Sequence, residues 1–170
     1  YMQGDKRVFL AGQFYSPSNS VLRGYHRNYI RKSMEAVRGG GNVINHIGDE
    51  YTGPAEFMAF WLRTIRDWKQ ETGTRTLVAL NATRDVDEEI LSDSSLSETV
   101  DIIDLRHFYY KADGELYDPE GGVSLAPRQY ARVIDAGMPD AKGVYRLVSE
   151  WRSRYPGKAV LFNAARVRGG

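Results

Sequence analysis

Two adjacent carboxylates, Asp49 and Glu50, follow the apolar run "NVINHIG" and precede the turn at Gly53 and Pro54. Two acids at the end of a buried strand can serve as proton donor and proton acceptor when their surroundings separate their pKa values. Glu50 has an alternative role as an exposed carboxylate that favours the positive N-terminal end of the helix expected after Pro54. For Asp49, a structural hydrogen-bonding role stands beside a catalytic one.

Polar and aromatic side chains also stand where the other apolar runs end. Functional groups of parallel α/β folds gather at the carboxyl ends of the strands, so we expect these residues to share one edge with Glu50. Amide, guanidinium, imidazole and phenol groups suit the binding of a sugar. For His107, Tyr109 and Tyr110, a buried structural role is the alternative. The set consists of Asn81, Thr83, Asp85, Arg106, His107, Tyr109, Tyr110 and Asn163.

Helices and strands that would position these residues follow from the spacing of apolar residues. Spacings of three and four predict three longer helices near 22–37, 54–73 and 144–151, with a short acidic one at "DVDEEILSD". The first helix is expected to turn one face to the core, made of Leu22, Tyr25, Tyr29, Ile30, Met34 and Val37. Short apolar runs predict strands near 42–48, 75–81, 100–109 and 158–163, with a further strand at "KRVFLAGQF".

The joints "ETGTRTLVALN" and "RYPGKAVLFN" share one order of helix end, glycine, basic residue, apolar run and asparagine. This order is typical of repeated βα units with a parallel sheet buried on both faces. A closed eight-stranded barrel takes about 250 residues, which is more than four or five strands provide. The alternatives are therefore a small open α/β domain and a piece of a barrel. We favour the piece, with residues 1–170 as a single (β/α)-barrel segment of a longer chain.

Composition and motifs give no support to several classes of function. The 170 residues carry 23 basic and 22 acidic side chains, so net charge gives no reason to expect nucleic acid or an anionic membrane as a partner. No run of about 18 apolar residues exists, so no membrane insertion is expected. Cysteine is absent, and the three histidines, His26, His46 and His107, lack a ligand spacing such as HExxH. No metal or other cofactor is therefore expected, and no GxGxxG, GxxxxGK[ST] or GxSxG motif occurs.

The segment "NVINHIGDEYTGP" resembles the fourth-strand motif of the clan A glycoside hydrolases, in which a glutamate after an asparagine is the general acid/base. "TLVALNATRD" resembles their fifth strand and "IIDLRHFYY" their sixth. Together with "FWLRTIRDW", "DGELYDPEGG" and "LAPRQYAR", these segments look like a bacterial family of large, mostly uncharacterised barrel proteins classed as glycoside hydrolases. The resemblance spans roughly residues 22–163.

The resemblance implies a TIM-type (β/α) barrel, present here in part, that hydrolyses a poly- or oligosaccharide with Glu50 as general acid/base. Asp49 would be the second catalytic candidate, and Asn81, Arg106, His107, Tyr109, Tyr110 and Asn163 would bind substrate. The implied partners are a carbohydrate and the rest of the barrel or further domains of the parent chain. The implied location is secreted, periplasmic or cell-surface.

Two positions depart from the clan pattern. Asp49 replaces the asparagine before the acid/base, and Asn163 stands near the place of the seventh-strand nucleophile. An amide cannot form the covalent glycosyl-enzyme intermediate. Three explanations stay open: a different partner such as Asp49 or Asp104, an acid outside this segment, or a catalytically inactive barrel that binds carbohydrate or protein. A structural fragment without activity of its own is a further reading.

Two geometric expectations concern the cleft at this edge. The Glu50 carboxylate is expected to face the cleft, within reach of His107 or Tyr109 directly or through a water. The loop 111–127 is expected to lie at the same edge and to carry Tyr117, with Arg128 just past its end, towards the cleft.

Overall fold

The structure is a computed structural model that describes residues 11–121 and 139–163, together with the backbone at 2–3 and 6–7. The helices are α1 (Ala11–Tyr15), α2 (Ser20–Ala36), α3 (Ala55–Thr72), α4 (Arg84–Ser92), α5 (Ser94–Ser97) and α6 (Ala141–Arg154). The strands are β1 (Met2–Gln3), β2 (Lys6–Arg7), β3 (Ile44–Tyr51), β4 (Leu77–Ala82), β5 (Ile102–Leu105), β6 (Tyr109–Tyr110), β7 (Leu116–Tyr117) and β8 (Ala159–Phe162).

The main sheet has four strands in the order β3-β4-β5-β8, and all three pairings are parallel. The predicted parallel arrangement and the α/β class are therefore confirmed. Spatial order equals chain order, so every crossover leads to the next strand. Right-handed crossovers of this kind bring all connecting helices to one face of a sheet.

The two faces of this sheet differ in their cover. One set of alternating residues, including Ile47, Leu80 and Ile103, packs with residues of α2 to α6 in a single hydrophobic core. The other set carries Ile44, Leu77 and Leu161, whose exposed fractions are 46%, 46% and 44%. Within the described ranges, helices therefore cover one face of the sheet, whereas the other, the open face, is exposed at Ile44, Leu77 and Leu161 but buried at Ala79, Asn81 and Asp104.

Two predicted strands are wrong in part. In "KRVFLAGQF", residues 11–14 belong to α1, and Lys6–Arg7 pairs antiparallel with Met2–Gln3 rather than joining the parallel sheet. The run 100–109 is not one strand, because β5 ends at Leu105. β6 and β7 instead form an antiparallel hairpin, closed by the Lys111 amide, which donates to the Glu115 carbonyl at 2.8 Å.

The predicted core face of α2 is also wrong in part. Tyr25 and Tyr29 are 68% and 64% exposed, whereas Arg23 and His26 are buried together with Ile30 and Met34. The Arg23 guanidinium donates to the Tyr15 and Ser16 carbonyls and lies 4.5 Å from the centre of the Phe60 ring. Because these contacts hold a charged side chain at the interface, α2 is rotated away from the face that hydrophobicity indicates.

Candidate functional site

β3 leaves regular pairing with β4 at the point where its acids lie. Ile47 pairs with Leu80, and the next pair is Tyr51 with Ala82. Four residues of β3 therefore advance as far as two residues of β4, so β3 carries two additional residues. Asp49 and Glu50 lie inside this β-bulge. Bulges remove residues from the ladder and redirect side chains, and they are frequent beside active sites.

Gly48 makes the bulge sterically feasible. Its φ of +81° lies in the left-handed region that favours glycine. A Cβ atom at this position would also stand 2.2 Å from the Asn81 carbonyl oxygen and 3.2 Å from Met58 Cε. The role of this glycine was not predicted, although a glycine inside a strand pattern is a signal of a bulge.

Tyr51 closes the bulge at its far end. Its carbonyl accepts a hydrogen bond from the Thr83 amide at 3.0 Å, and its hydroxyl donates to the Pro54 carbonyl at 2.9 Å. Burial, aided by the neighbouring Tyr15, raises the pKa of the Tyr51 hydroxyl above its usual range. The acidic segment is thus fixed to β4 on one side and to the start of α3 on the other.

Asp49 and Arg106 form an ion pair that joins the end of β3 to the residue after β5. The pair passes over β4, so two of the predicted site residues meet at the carboxyl edge of the sheet. The Asp49 side chain is 80% exposed and that of Arg106 is 25% exposed. Water therefore screens the pair, and its geometry orients Arg106 more than it stabilises the fold.

Asn81 and His107 lie deeper than the ion pair. Asn81 is fully buried, and its Nδ2 donates to the Asp104 carbonyl at 2.7 Å. His107 is 5% exposed, and the following Phe108 packs on Trp151 of α6 with ring centres 5.2 Å apart. The Asn81 amide group thus ties β4 to β5 directly beneath the bulge.

Tyr109 and Tyr110 belong to the hairpin rather than to the end of β5. The Tyr109 ring lies 5.1 Å from the Tyr117 ring, and burial raises the pKa of its hydroxyl. Tyr110 donates its hydroxyl hydrogen to Glu150 at 2.8 Å, and Arg146 stands 3.8 Å from the centre of its ring. α6 therefore holds Tyr110 in place.

The loop after the hairpin returns to the carboxyl edge of β4. The Gly121 amide donates to Asp85 Oδ2 at 3.0 Å, beside the start of α4. This described part of the loop thus lies at the edge that the sequence predicts. Arg128, predicted to point towards the same cleft, lies outside the described residues, as does the Glu50 side chain with its predicted reach to His107 or Tyr109.

Asn163 follows β8 directly and is exposed. It occupies the carboxyl end of the fourth strand of the sheet, in line with the ends of β3, β4 and β5. No aspartate or glutamate occurs from Tyr155 to Asn163 in the sequence.

Two acids buried below the carboxyl edge of the sheet, Asp104 and Asp87, were not predicted as a group. His46 Nε2 lies 2.6 Å from Asp104 Oδ2, a contact that no sequence motif predicted. Asp87 of α4 is fully buried, and burial, opposed by the Ala82 amide and reinforced by Asp104, raises its pKa well above the usual range. Alternation along β3 places the His46 side chain on the face of the sheet opposite the helices. This alternation is the feature of the sequence that could have indicated the contact with Asp104.

Two kinds of feature, a metal-ion cluster and a membrane-spanning helix, are absent from the described part of the chain. No three histidine, aspartate or glutamate side chains there are grouped as a metal ion would require. No helix there is both long and apolar enough to cross a membrane.

Comparison with known proteins gives one family and no named relative. Residues 1–169 match the model of the family described as Domain of unknown function (DUF6298). No curated protein matches the chain, and no solved structure matches it.

Proposed function

We propose that this chain, which belongs to the DUF6298 family, is part of a (β/α)-barrel glycoside hydrolase in which Glu50 is the general acid/base. The observation that carries the proposal is the bulge that Gly48 permits at the carboxyl end of β3. A strand that only had to complete a sheet would not need two extra acidic residues outside the ladder. Asp49 is the second catalytic candidate on the same bulge.

Three features of the sheet favour a barrel over an open α/β domain. The strands follow one another in chain order, and the open face carries apolar side chains that further strands would cover. His46 of β3 and Asp104 of β5 meet across the small Ala79 of β4. Contacts between alternate strands are typical of the side-chain layers inside TIM barrels.

The catalytic role of Glu50 follows from the chemistry of glycoside hydrolysis. Protonated Glu50 would give its proton to the glycosidic oxygen as the bond to the anomeric carbon breaks. Arg106, His107 and Tyr109 would bind sugar hydroxyls and ring faces at the rim, with Asn81, Tyr110 and Asn163 as further contacts. A secreted, periplasmic or cell-surface location would suit a polysaccharide substrate.

A non-catalytic carbohydrate-binding barrel is the second candidate. The position of Asn163 favours it, because an exposed amide stands where a nucleophilic carboxylate would be expected. An amide can hold a sugar hydroxyl through hydrogen bonds, but it cannot attack the anomeric carbon as a carboxylate does.

The test is an activity screen of the full-length protein on a panel of oligo- and polysaccharides. Glu50→Gln should lower turnover by about 10²–10⁴-fold, since it removes the proton donor. Glu56→Gln is the matched control, because Glu56 is an exposed acid in the first turn of α3. Glycan binding without hydrolysis by the parent protein would support the second candidate. Neither binding nor hydrolysis would overturn both.

A further inference from the structure

The His46–Asp104 pair lies on the open face of the sheet, beneath the acidic bulge. His46 Nε2 and Asp104 Oδ2 are 2.6 Å apart, and the two side chains are 33% and 2% exposed. His46 and Asp104 alternate along their strands with Ile47 and Ile103, which belong to the core on the helical face. Packing of the helices against the sheet therefore does not account for this pair.

Strand order explains how the two side chains meet. His46 pairs with Ala79, and Ala79 pairs with Ile102, so β4 separates the strands that carry the pair. The methyl side chain of Ala79 leaves room for an imidazole and a carboxylate to meet above it. A larger residue at this position would stand between them.

Asp104 fixes which nitrogen of His46 carries the hydrogen. An ionised carboxylate can only accept hydrogen bonds, so Nε2 donates to Asp104 and Nδ1 keeps a lone pair. The second oxygen of Asp104 is buried and accepts no hydrogen bond from the described residues. The carboxylate is thus in place to stabilise the imidazolium that would form when Nδ1 takes a proton, as in other carboxylate–histidine pairs.

The bulge shortens the distance along β3 between His46 and Glu50. Between Ile47 and Tyr51, β3 advances by two ladder steps rather than four. Glu50 lies between Ile47 and Tyr51, so its backbone stands between one and three ladder steps from that of His46, or about 3–10 Å at about 3.3 Å for each step. In inverting glycoside hydrolases the acid and the base stand about 6.5–9.5 Å apart, which leaves room for a water between the base and the sugar.

We propose that His46 is the general base of this site, with Asp104 as its positioning residue. The inference rests on the proposed hydrolase function. It assigns the second catalytic group, which the Asn163 amide cannot provide. A water would attack the anomeric carbon while Nδ1 of His46 takes one of its protons. The bond from that carbon to the leaving oxygen breaks, and this oxygen takes its electron pair and the proton of Glu50. The product therefore has the inverted anomeric configuration.

The test uses the full-length protein and its best substrate from the glycan panel. Proton NMR in the first minutes should show the anomer opposite to that of the substrate. His46→Ala should lower kcat at least 100-fold, and added imidazole should restore part of it. Asp104→Asn should lower kcat about tenfold with little change in KM. Asn45→Ala is the matched control, because Asn45 lies next to His46 and bonds Thr76 and Leu77 instead.

The outcomes separate this inference from the function on which it rests. A hydrolase that depends on Glu50, retains the anomeric configuration and tolerates His46→Ala would overturn the role of His46 alone. Loss of activity in His46→Ala without rescue by imidazole, together with a lowered melting temperature, would assign His46 a structural role and overturn the inference as well. Absence of hydrolysis in the parent protein would overturn both proposals.

Discussion

Gly48 lies so close to the main chain of Asn81 that a Cβ atom on it would stand 2.2 Å from the Asn81 carbonyl oxygen. The contact occurs where β3 departs from its ladder with β4. Asn81 in turn donates to the Asp104 carbonyl, so the bulge rests on a support that extends to β5. The position of the two acids therefore depends on a residue that carries no chemistry of its own.

Gly48→Ala should destabilise the protein by about 2–5 kcal/mol, from a strained φ and an overpacked contact together. Gly114→Ala is the matched control, because Gly114 also has a positive φ but has nothing within 4 Å of the position that a Cβ atom would take. The control should lose about 1–2 kcal/mol. Urea unfolding of both variants measures the difference. Equal losses of unfolding free energy in the two variants would show that the added methyl group at position 48 does not clash with the Asn81 carbonyl.

Arg106→Gln should change the free energy of unfolding by less than about 1 kcal/mol, because its partner Asp49 is exposed and the ion pair is screened by water. Its effect on glycan binding should be larger than its effect on stability, since Arg106 stands on the rim. Calorimetric titration with the best glycan, beside urea unfolding, compares the two quantities. A large loss of stability with unchanged binding would contradict the placement of Arg106 in the site.

Asp87→Asn should stabilise the protein increasingly as pH rises above about 4, until the folded-state carboxyl also ionises. The folded-state pKa of Asp87 is raised, so the unfolded chain loses this proton first and the folded state is penalised at higher pH. Below the unfolded pKa of about 3.9, both states hold the proton and the penalty vanishes. Urea unfolding across this pH range gives the difference between variant and parent.

Asp93→Asn provides a control of opposite sign. Hydrogen bonds from Leu96 and Ser95 at the start of α5 lower the pKa of Asp93. Its stabilisation is present above the unfolded pKa and is lost as pH falls through the folded one, so this variant should be destabilised near neutral pH. The same pH slope for Asp87→Asn and Asp93→Asn would contradict the raised pKa that burial gives Asp87.

Tyr110→Phe should cost about 0.5–1.5 kcal/mol of stability, the usual contribution of one hydrogen bond. The hydroxyl donates to Glu150 of α6, so Glu150→Gln should cause a related loss. The double variant should lose less than the sum of the two, because each change removes the same contact. Additive losses would show that the Tyr110 hydroxyl acts elsewhere, and a raised KM in Tyr110→Phe would assign it to the substrate.

The parallel strands and the long helices could be predicted because local pattern fixes them. β4 is an almost continuous apolar run, and Gly73 ends α3 with the positive φ that a helix end often requires. The carboxyl edge was likewise predictable, because strand ends in parallel sheets share it. Asp49 and Arg106 meet there although 57 positions separate them in the chain.

Other features depend on contacts between elements that no local pattern encodes. The bulge at Gly48 is defined by the register of β3 against β4, and the His46–Asp104 pair is defined by the small side chain of a third strand. The face of α2 was misjudged because Arg23 can be buried when carbonyls and an aromatic ring receive its guanidinium. Hydrophobic periodicity treats such a residue as exposed.

The most direct test of the central claim compares two substrates of the full-length Glu50→Gln variant. A natural glycan has a poor leaving group that needs a proton. The dinitrophenolate group of a dinitrophenyl glycoside of the same sugar leaves without one. If Glu50 is the general acid, kcat/KM for the natural glycan should fall by about 10²–10⁴-fold, with a much smaller fall for the activated glycoside. Equal losses on both substrates, or unchanged hydrolysis of the natural glycan, would contradict the assignment of Glu50.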